Sequence, residues 1–498
     1  MANPLELFLW FVTFLACVYS FRLFSVKSSK LPPGPVGLPI LGSLFQIGTK
    51  LNESLAELAK VYGPLMTLRL GFKTTVVVSS AEMAAEVLQK HDQAFAGRSV
   101  MDAASPFDHS KWALGLGQNG PRWREMRRIC NSELLTPRRL DSLRGLREQK
   151  VQELLRHVRE ACQGGQAVNV GECSMTTALN SISNTLFSQD TMGLGSDSVT
   201  EFRALSLDLA IALGSPNISD FFPLLKYIDP QGIRRRAEVC IKRFYELLDE
   251  IIEKRNTLYS TSKVGKKGDF LDVLLELSTK PGSEFKKECV KPLLLEMFLA
   301  ATDTSSSTIE WAMAELLLNP KKMEILRLEL KQIIGEDRVV QETDIQQLPY
   351  LQAVVKETLR LHPPIPLLVP HRADATTKVG GFTIPKHTEV LVNAWAIGRD
   401  SAYWENPTAF LPERFLESDV NFKGKDFHFI PFGSGRRMCP GIPLAVRTVY
   451  LALAALIHSF EWKLPEGMSP EKLDVEEYFG LTMRKAVPLL AVATPIAT

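Results

Sequence analysis

Cysteine is scarce in this chain of 498 residues, and what there is does not pair up. The seven residues (Cys17, Cys130, Cys162, Cys173, Cys240, Cys289 and Cys439) are odd in number and show no C-x-x-C spacing. That argues against a disulfide framework and a zinc site, and it fits a reducing compartment. Charge of one sign is also lacking. The net charge is +2, so nothing electrostatic points to nucleic acid. The phosphate-binding pattern G-x-x-x-x-G-K-[ST] is absent, as are internal repeats. Length alone would suggest about three domains. No internal linker divides the body, however, and 45% apolar residues suffice for one large core.

What is present begins at the N-terminus. Leu7 to Phe21 carries no charge, and with Leu23 and Phe24 it nears the roughly 17–25 residues that cross a bilayer. Arg22, Lys27 and Lys30 follow it, which orients the body to the cytosol. A cleaved signal peptide is the competing reading. No basic segment precedes the run and no A-x-A site ends it, which disfavours that reading. The sequons at Asn52 and Asn217 would then go unused. Residues 1–25 are thus expected to be a transmembrane anchor, residues 26–37 a basic, proline-rich hinge around Pro32-Pro33-Gly34-Pro35, and residues 38–498 the body.

Leu65 to Leu70 and Thr74 to Ser79 read as a β-hairpin around Gly71. Helical periodicity runs over Arg144 to Arg159, Arg235 to Arg255, Phe285 to Leu318 and Pro320 to Ile334. Strand signals return at Val379 to Ile384 and Glu389 to Asn393, and Ser260 to Asp269 reads as a surface loop. The fold class is mainly α with a small β portion.

The chemistry concentrates in Phe432-Gly433-Ser434-Gly435-Arg436-Arg437-Met438-Cys439-Pro440-Gly441. Its glycines allow tight bends and close approach to a flat ligand. An apolar helix follows, so Cys439 sits at a helix N-terminus, where the dipole and free N–H groups favour a thiolate and lower its pKa. A thiolate on haem iron donates electron density that favours O–O cleavage. Arg437 is positioned to neutralise a haem propionate, and Phe432 to pack beside the sulfur. The bland alternative is a buried structural cysteine. The rival iron ligands His362, His371 and His428 read as structural or as supports behind the ligand-bearing groups. Gly115-Leu116-Gly117-Gln118-Asn119-Gly120 spells a dinucleotide fingerprint with Asp141 about twenty residues on, but no strand precedes it, so it is rejected.

Phe432-x-x-Gly435-x-Arg437-x-Cys439-x-Gly441 resembles the haem-binding pattern of the cytochrome P-450 superfamily at every fixed position, and the likeness extends over nearly the whole chain. The resemblance implies the cytochrome P-450 fold, haem b held by Cys439, and propionate contacts from Trp123, Arg127 and Arg372. It implies a buried network of Glu357, Arg360 and Arg414 that supports the pocket. In Ala300-Ala301-Thr302-Asp303-Thr304, it implies that Asp303 and Thr304 relay protons to bound dioxygen. The family usually has glycine where this chain has Ala301, and the added methyl narrows the oxygen groove or shifts the helix bend. Arg124 and Arg128, facing outwards, are candidates for docking an acidic redox partner; a solvated basic face competes with that reading.

The chain is most similar to plant microsomal members, within them to those that oxidise monoterpenoids, iridoids and diterpenes. That implies NADPH-cytochrome P-450 reductase as partner, O2 as co-substrate and the endoplasmic reticulum membrane as location. Candidate substrate-lining residues are Phe298, Ala300, Ala301, Ile365, Leu368, Phe479 and Leu481, largely apolar as a lipophilic substrate requires. Phenolic or alkaloid substrates, a reductase-independent isomerase or dehydratase, and a non-catalytic haem binder are the alternatives. Retention of Asp303 and Thr304 favours the monooxygenase.

Overall fold

The computed structural model describes residues 30–190, 197–261 and 268–496, with residues 3, 6, 10, 13 and 14 before them. The anchor expected at 1–25 therefore lies, those five residues apart, outside the described residues. The longer helices are α1 (Leu51–Tyr62), α2 (Pro121–Ile129), α3 (Arg144–Gln163), α4 (Val170–Phe187), α5 (Asp197–Gly214), α6 (Ile233–Thr261), α7 (Phe270–Thr279), α8 (Val290–Leu318), α9 (Pro320–Ile334), α10 (Pro349–Leu361) and α11 (Ile442–Ser459).

Helix α8 is the axis of the molecule. It is buried over most of its surface, polar residues such as Thr302, Ser305 to Thr308, Glu310 and Glu315 included. Its most extensive partner is α4, and α10 and α11 pack on it as well. The sequence of α4 explains the closeness. Its buried face is rich in Ser, Thr and Ala, whose short side chains let two backbones approach. Two of its threonine hydroxyls bond back one turn: Thr177 Oγ1 donates to Cys173 O and Thr185 Oγ1 to Ser181 O, both at 2.8 Å.

The β portion is small. The main sheet has the order β1 (Leu65–Leu70), β2 (Lys73–Val78), β8 (Glu389–Val392), β5 (His371–Arg372), β3 (Gly97–Arg98). The β1–β2 hairpin is as expected, but β2 pairs in parallel with β8, a partner more than three hundred residues away. The stretch Val379 to Ile384 is not one strand. It is a hairpin of β6 (Thr377–Val379) and β7 (Phe382–Ile384), turned by Gly380 and Gly381 at φ +54° and +82°. Two positive φ angles in succession suit the tight hairpin turn that follows strand twist. A further sheet joins β4 (Val168–Asn169), β12 (Leu490–Pro495) and β9 (Phe460–Lys463), and β10 (Glu477–Tyr478) pairs with β11 (Arg484–Lys485).

The proline-rich segment is docked on the body. Thr67 N–H donates to Pro33 O at 2.8 Å, and a Cβ on Gly34 would lie 1.9 Å from Thr67 O. The loop expected at Ser260 to Asp269 needs correction at both ends. Helix α6 runs on to Thr261, and Asp269 is buried, bonded by Arg255 Nη1 at 2.8 Å and Nη2 at 2.7 Å. A buried arginine needs such partners, so Asp269 belongs to the core. Asn52 and Asn217 are each only 2% exposed, so neither sequon is open to modification.

Candidate active site

The cysteine loop is shaped by backbone contacts. Gly433 and Gly435 have φ of +70° and +66°, and a Cβ on Gly435 would lie 1.8 Å from Leu88 O. Only glycine fits there. Gly441 is different: its φ is −77°, and it caps α11. Cys439 N–H donates to Phe432 O at 3.0 Å, which closes the loop. The amides of Gly441 and Ile442 point at the sulfur. They do not lower the thiol pKa below its ordinary value, as the helix terminus alone would suggest. Burial outweighs them and the nearby Arg127, so the thiol is pushed up. A bound cation is what makes such a thiol a thiolate.

Behind the loop, a chain of aromatic rings reaches the buried ion network. Phe432 meets Phe422 (5.3 Å), Phe422 meets Phe429 (6.4 Å), and Phe429 meets Trp404 (6.3 Å). The guanidinia of Arg360 and Arg414 lie 5.2 and 5.7 Å from the Trp404 ring. Glu357 and Arg360 have no exposed side-chain surface. All five N–H groups of Arg360 are used: Glu357 takes two, and the carbonyls of Gly398, Pro407 and Ala409 take three. Arg414 Nε joins Glu357 Oε1 at 3.1 Å.

The α8 face that keeps accessible surface is Glu296, Ala300, Asp303 and Thr304, with Ala301 beside it, spaced as one helix stripe. Phe298, Thr302 and Ser305 beside it are buried, while Met297 and Leu299 also keep some accessible surface. Cys439 to Ile442 are also only partly buried. Phe298, Ala301, Leu481, Trp123, Leu444 and Val369 belong to one apolar cluster. The other candidate lining residues divide. Phe479 packs instead with Leu367, Phe221 and Met66. Leu368, at φ +52°, packs with Phe95 and Ile430 under the cysteine loop. Ile365 is partly buried.

Thr304 Oγ1 donates to Ala300 O at 2.7 Å, and α8 is continuous through Ala301. Burial raises the Asp303 pKa, opposed by Arg484 and by a hydrogen bond with Thr482. Arg484 opens β11 and Thr482 lies in the turn before it; sequence reasoning found neither.

A second miss is Arg98. Its guanidinium is buried and donates to Gly115 O (3.0 Å) and Val369 O (2.5 Å). Arg437 donates to Ala96 O (2.8 Å) and Gly117 O (2.6 Å), and lies 4.1 Å from the Trp123 ring. Trp123 Nε1 donates to Leu114 O at 2.9 Å. Among the described residues, Arg98 and Arg437 donate to carbonyls and to no carboxylate. Burial pushes the Arg437 pKa down to about 10, and Arg127 adds to the fall. Arg98 falls for the same two reasons, burial first and then Arg437. Such crowded positive charge calls for an anionic ligand. The two propionates of a haem supply it, so the donor set fits that group. Arg372 stands at the edge, shared between Gln118 Oε1 (2.9 Å) and Asp374 Oδ1 (3.2 Å).

The three histidines are structural. His362 is held by Glu315 and Glu477, each at 2.8 Å, and stacks on Trp311. His371 Nδ1 bonds Phe95 O, and burial pushes its pKa down to about 3. His428 stacks on Tyr403 at 5.2 Å. On α2, Arg124 and Arg128 are exposed, and Arg128 is paired with Glu125.

The family model for cytochrome P-450 matches residues 32–490. A geraniol 8-hydroxylase of Swertia mussotii is 48% identical over 95% of this chain and 96% of its own. A ferruginol synthase of Salvia miltiorrhiza is 41% identical over 98% of each. Among solved structures, a zebrafish cytochrome P-450 with progesterone superposes with a TM-score of 0.77 at 26% identity, covering 89% of this chain and 99% of that one. A match of this length, with relatives alike along their whole span, means that the chain belongs to the cytochrome P-450 family, monooxygenases that carry a haem iron and draw electrons from NADPH through a reductase.

Proposed function

We propose that this enzyme inserts one oxygen atom of O2 into a terpenoid (a monoterpenol, iridoid or diterpene), with NADPH-cytochrome P-450 reductase as its electron donor. The observation that carries the reading is the pair of geraniol 8-hydroxylases, 46% and 48% identical over nearly the whole chain. The largely apolar surroundings of the α8 stripe agree with a lipophilic substrate.

In this reading Cys439 Sγ is the iron ligand, and the amides of Gly441 and Ile442 steady its charge. Phe432 keeps water from the sulfur. Arg98, Arg127, Arg437 and Arg372 hold the propionate end, and Trp123, its N–H taken by Leu114 O, supports Arg437 through its ring. When bound, the haem supplies reductive activation of O2. Thr304 Oγ1 and the Asp303 carboxyl deliver the protons that this requires, and the raised pKa of Asp303 suits it to hold one. Ala300, Ala301 and Leu481 face the substrate, Ile365 lies further out, and Phe298, Leu368 and Phe479 back this lining from the clusters they pack in.

Residues 1–25 anchor the enzyme in the endoplasmic reticulum membrane, residues 26–37 form the hinge, and residues 38–498 are the catalytic domain on the cytosolic side. An apolar surface near the chain's start supports this. Phe45, Phe72, Leu224 and Tyr227 are exposed, and Phe72 N–H donates to Phe221 O at 2.9 Å, linking the first sheet to that region.

The test is expression in microsomes with a plant reductase. Geraniol, nepetalactol and abietane dienes are fed beside phenolic and alkaloid controls, with and without NADPH. An oxygenated terpenoid formed only with NADPH is the expected result. Turnover without NADPH would establish an isomerase or dehydratase instead, and product only from the controls would withdraw the terpenoid class.

A further inference from the structure

The glycine-rich segment that imitates a dinucleotide site has another use. Its amides face a carboxylate of the protein itself. Glu296, on the open stripe of α8, accepts from Leu114 N–H and from Gly115 N–H (3.1 Å to each oxygen), and the Leu116 amide also holds it. The carbonyls of the same segment face Trp123 and two arginines. Leu114 O accepts from Trp123 Nε1, Gly115 O from Arg98, and Gly117 O from Arg437. Residues 114–117 are therefore a layer of peptide dipoles between one anion and the groups that face the propionates. A Cβ on Gly115 would come within 3.1 Å of Glu296 Oε1, tighter than an ordinary contact.

The charges also match. Arg98, Arg127 and Arg437 act on one another and lie close together. Against these three positive charges the protein sets Glu296, which both Arg98 and Arg437 sense. Asp374, which Arg437 also senses, is paired with Arg372. Arg127 also senses Cys439, whose thiolate charge a ferric porphyrin would balance, so two positive charges remain, the number that two propionates neutralise.

We propose that Glu296 is a positioning residue for the propionate end of the haem. It holds residues 114–116 in place and supplies the third anion of a neutral cluster. This rests on the haem reading above and deepens it.

Burial raises the Glu296 pKa to about 7, opposed by the three amides and by Arg98. The carboxylate therefore prevails at pH 8 and the neutral acid at pH 6. The groups around it titrate elsewhere. Cys130 is pushed up to about 12 and Tyr245 upwards, both by burial first, and the neighbours Arg98, Arg127 and Arg437 are guanidinium groups. His109, which bonds Tyr245, is pushed down to about 4.

The experiment follows haem transfer from the full-length holoenzyme to excess apomyoglobin. Glu296→Gln should release haem roughly tenfold faster or more at pH 8, the usual effect of losing a charge-assisted acceptor. Wild-type release should quicken as pH falls from about 8 to about 6, and Glu296→Gln should be flat there. Wild-type rates and pH profile in the variant would overturn the proposal. If the variant fails to fold, Gly115→Ala, whose Cβ would crowd Glu296 Oε1 at 3.1 Å, takes its place, and wild-type haem release there overturns the proposal. A wild-type protein without the red-shifted Soret band of the reduced CO complex would sink the haem-thiolate reading itself and this inference with it.

Discussion

Glu357→Ala removes the acceptor of four hydrogen bonds at once. Arg360 Nε and Nη2 lose bonds of 2.7 Å, Leu411 N–H one of 2.8 Å and Arg414 Nε one of 3.1 Å. Three carbonyls still hold Arg360, but its charge stays buried without a counter-ion. Breaking one side of such a pair costs about 3–5 kcal/mol. Unfolding entropy is about 2.1 cal/mol/K per residue, roughly 1 kcal/mol/K for a chain of this length, so Tm should fall by about 3–5 °C. The control is Glu125→Ala, which breaks an ion pair whose side chains are 25% and 58% exposed. Exposed pairs contribute about 0–1 kcal/mol, so its shift should stay under about 1 °C. Thermal scans should follow far-UV circular dichroism and the Soret band together. Because the aromatic chain links the network to the cysteine loop, haem loss in Glu357→Ala should come with or before the loss of helix. Equal shifts for the two variants would refute the account of a buried, fully partnered network.

Three further outcomes follow from the site. Cys439→Ala should abolish the red-shifted Soret band of the reduced CO complex; a band that persists would remove Cys439 as the ligand. Thr304→Ala should lower product formation by on the order of 10²-fold, with NADPH still consumed and more peroxide released per product. Unchanged coupling would exclude the hydroxyl from proton delivery. Arg484→Gln removes a positive charge that holds the Asp303 pKa down, so that pKa should rise further. The pH at which coupling changes should move upwards; a fixed pH profile would separate Asp303 from the proton path.

Local patterns were legible in the sequence where their cause is local. Helix α9 begins and ends where its periodicity does, and the β1–β2 hairpin matches within a residue, because side-chain period and turn residues act over a few positions. The cysteine loop was readable because glycine, ligand and helix start lie on one short backbone. The failures have equally physical causes. Gly380 and Gly381 were absorbed into a strand although two adjacent glycines mark a turn. Asp269 was placed on the surface by the polarity of its neighbours, while its partner Arg255 lies on α6. The thiol of Cys439 was expected to be acidic from the helix terminus alone, yet desolvation comes from the whole surrounding fold and is larger.

The proton and propionate ends of the site share a further feature: their critical partners come from distant chain. Asp303 meets Thr482 and Arg484 because Ser307 Oγ donates to Met483 O at 2.8 Å and Met483 N–H to Pro364 O at 2.8 Å, fixing the 477–485 hairpin against α8 and the end of α10. Arg98 reaches Gly115 and Val369 because β3 pairs with β5. Periodicity shows which face of α8 stays open but not what stands opposite. Glu296 was the exception with a readable signal. An acid between Leu293-Leu294-Leu295 and Met297-Phe298-Leu299 in an otherwise apolar run must be partnered inside the protein. A charge flanked on both sides by buried apolar residues therefore points to an internal partner, here the amides of residues 114–116.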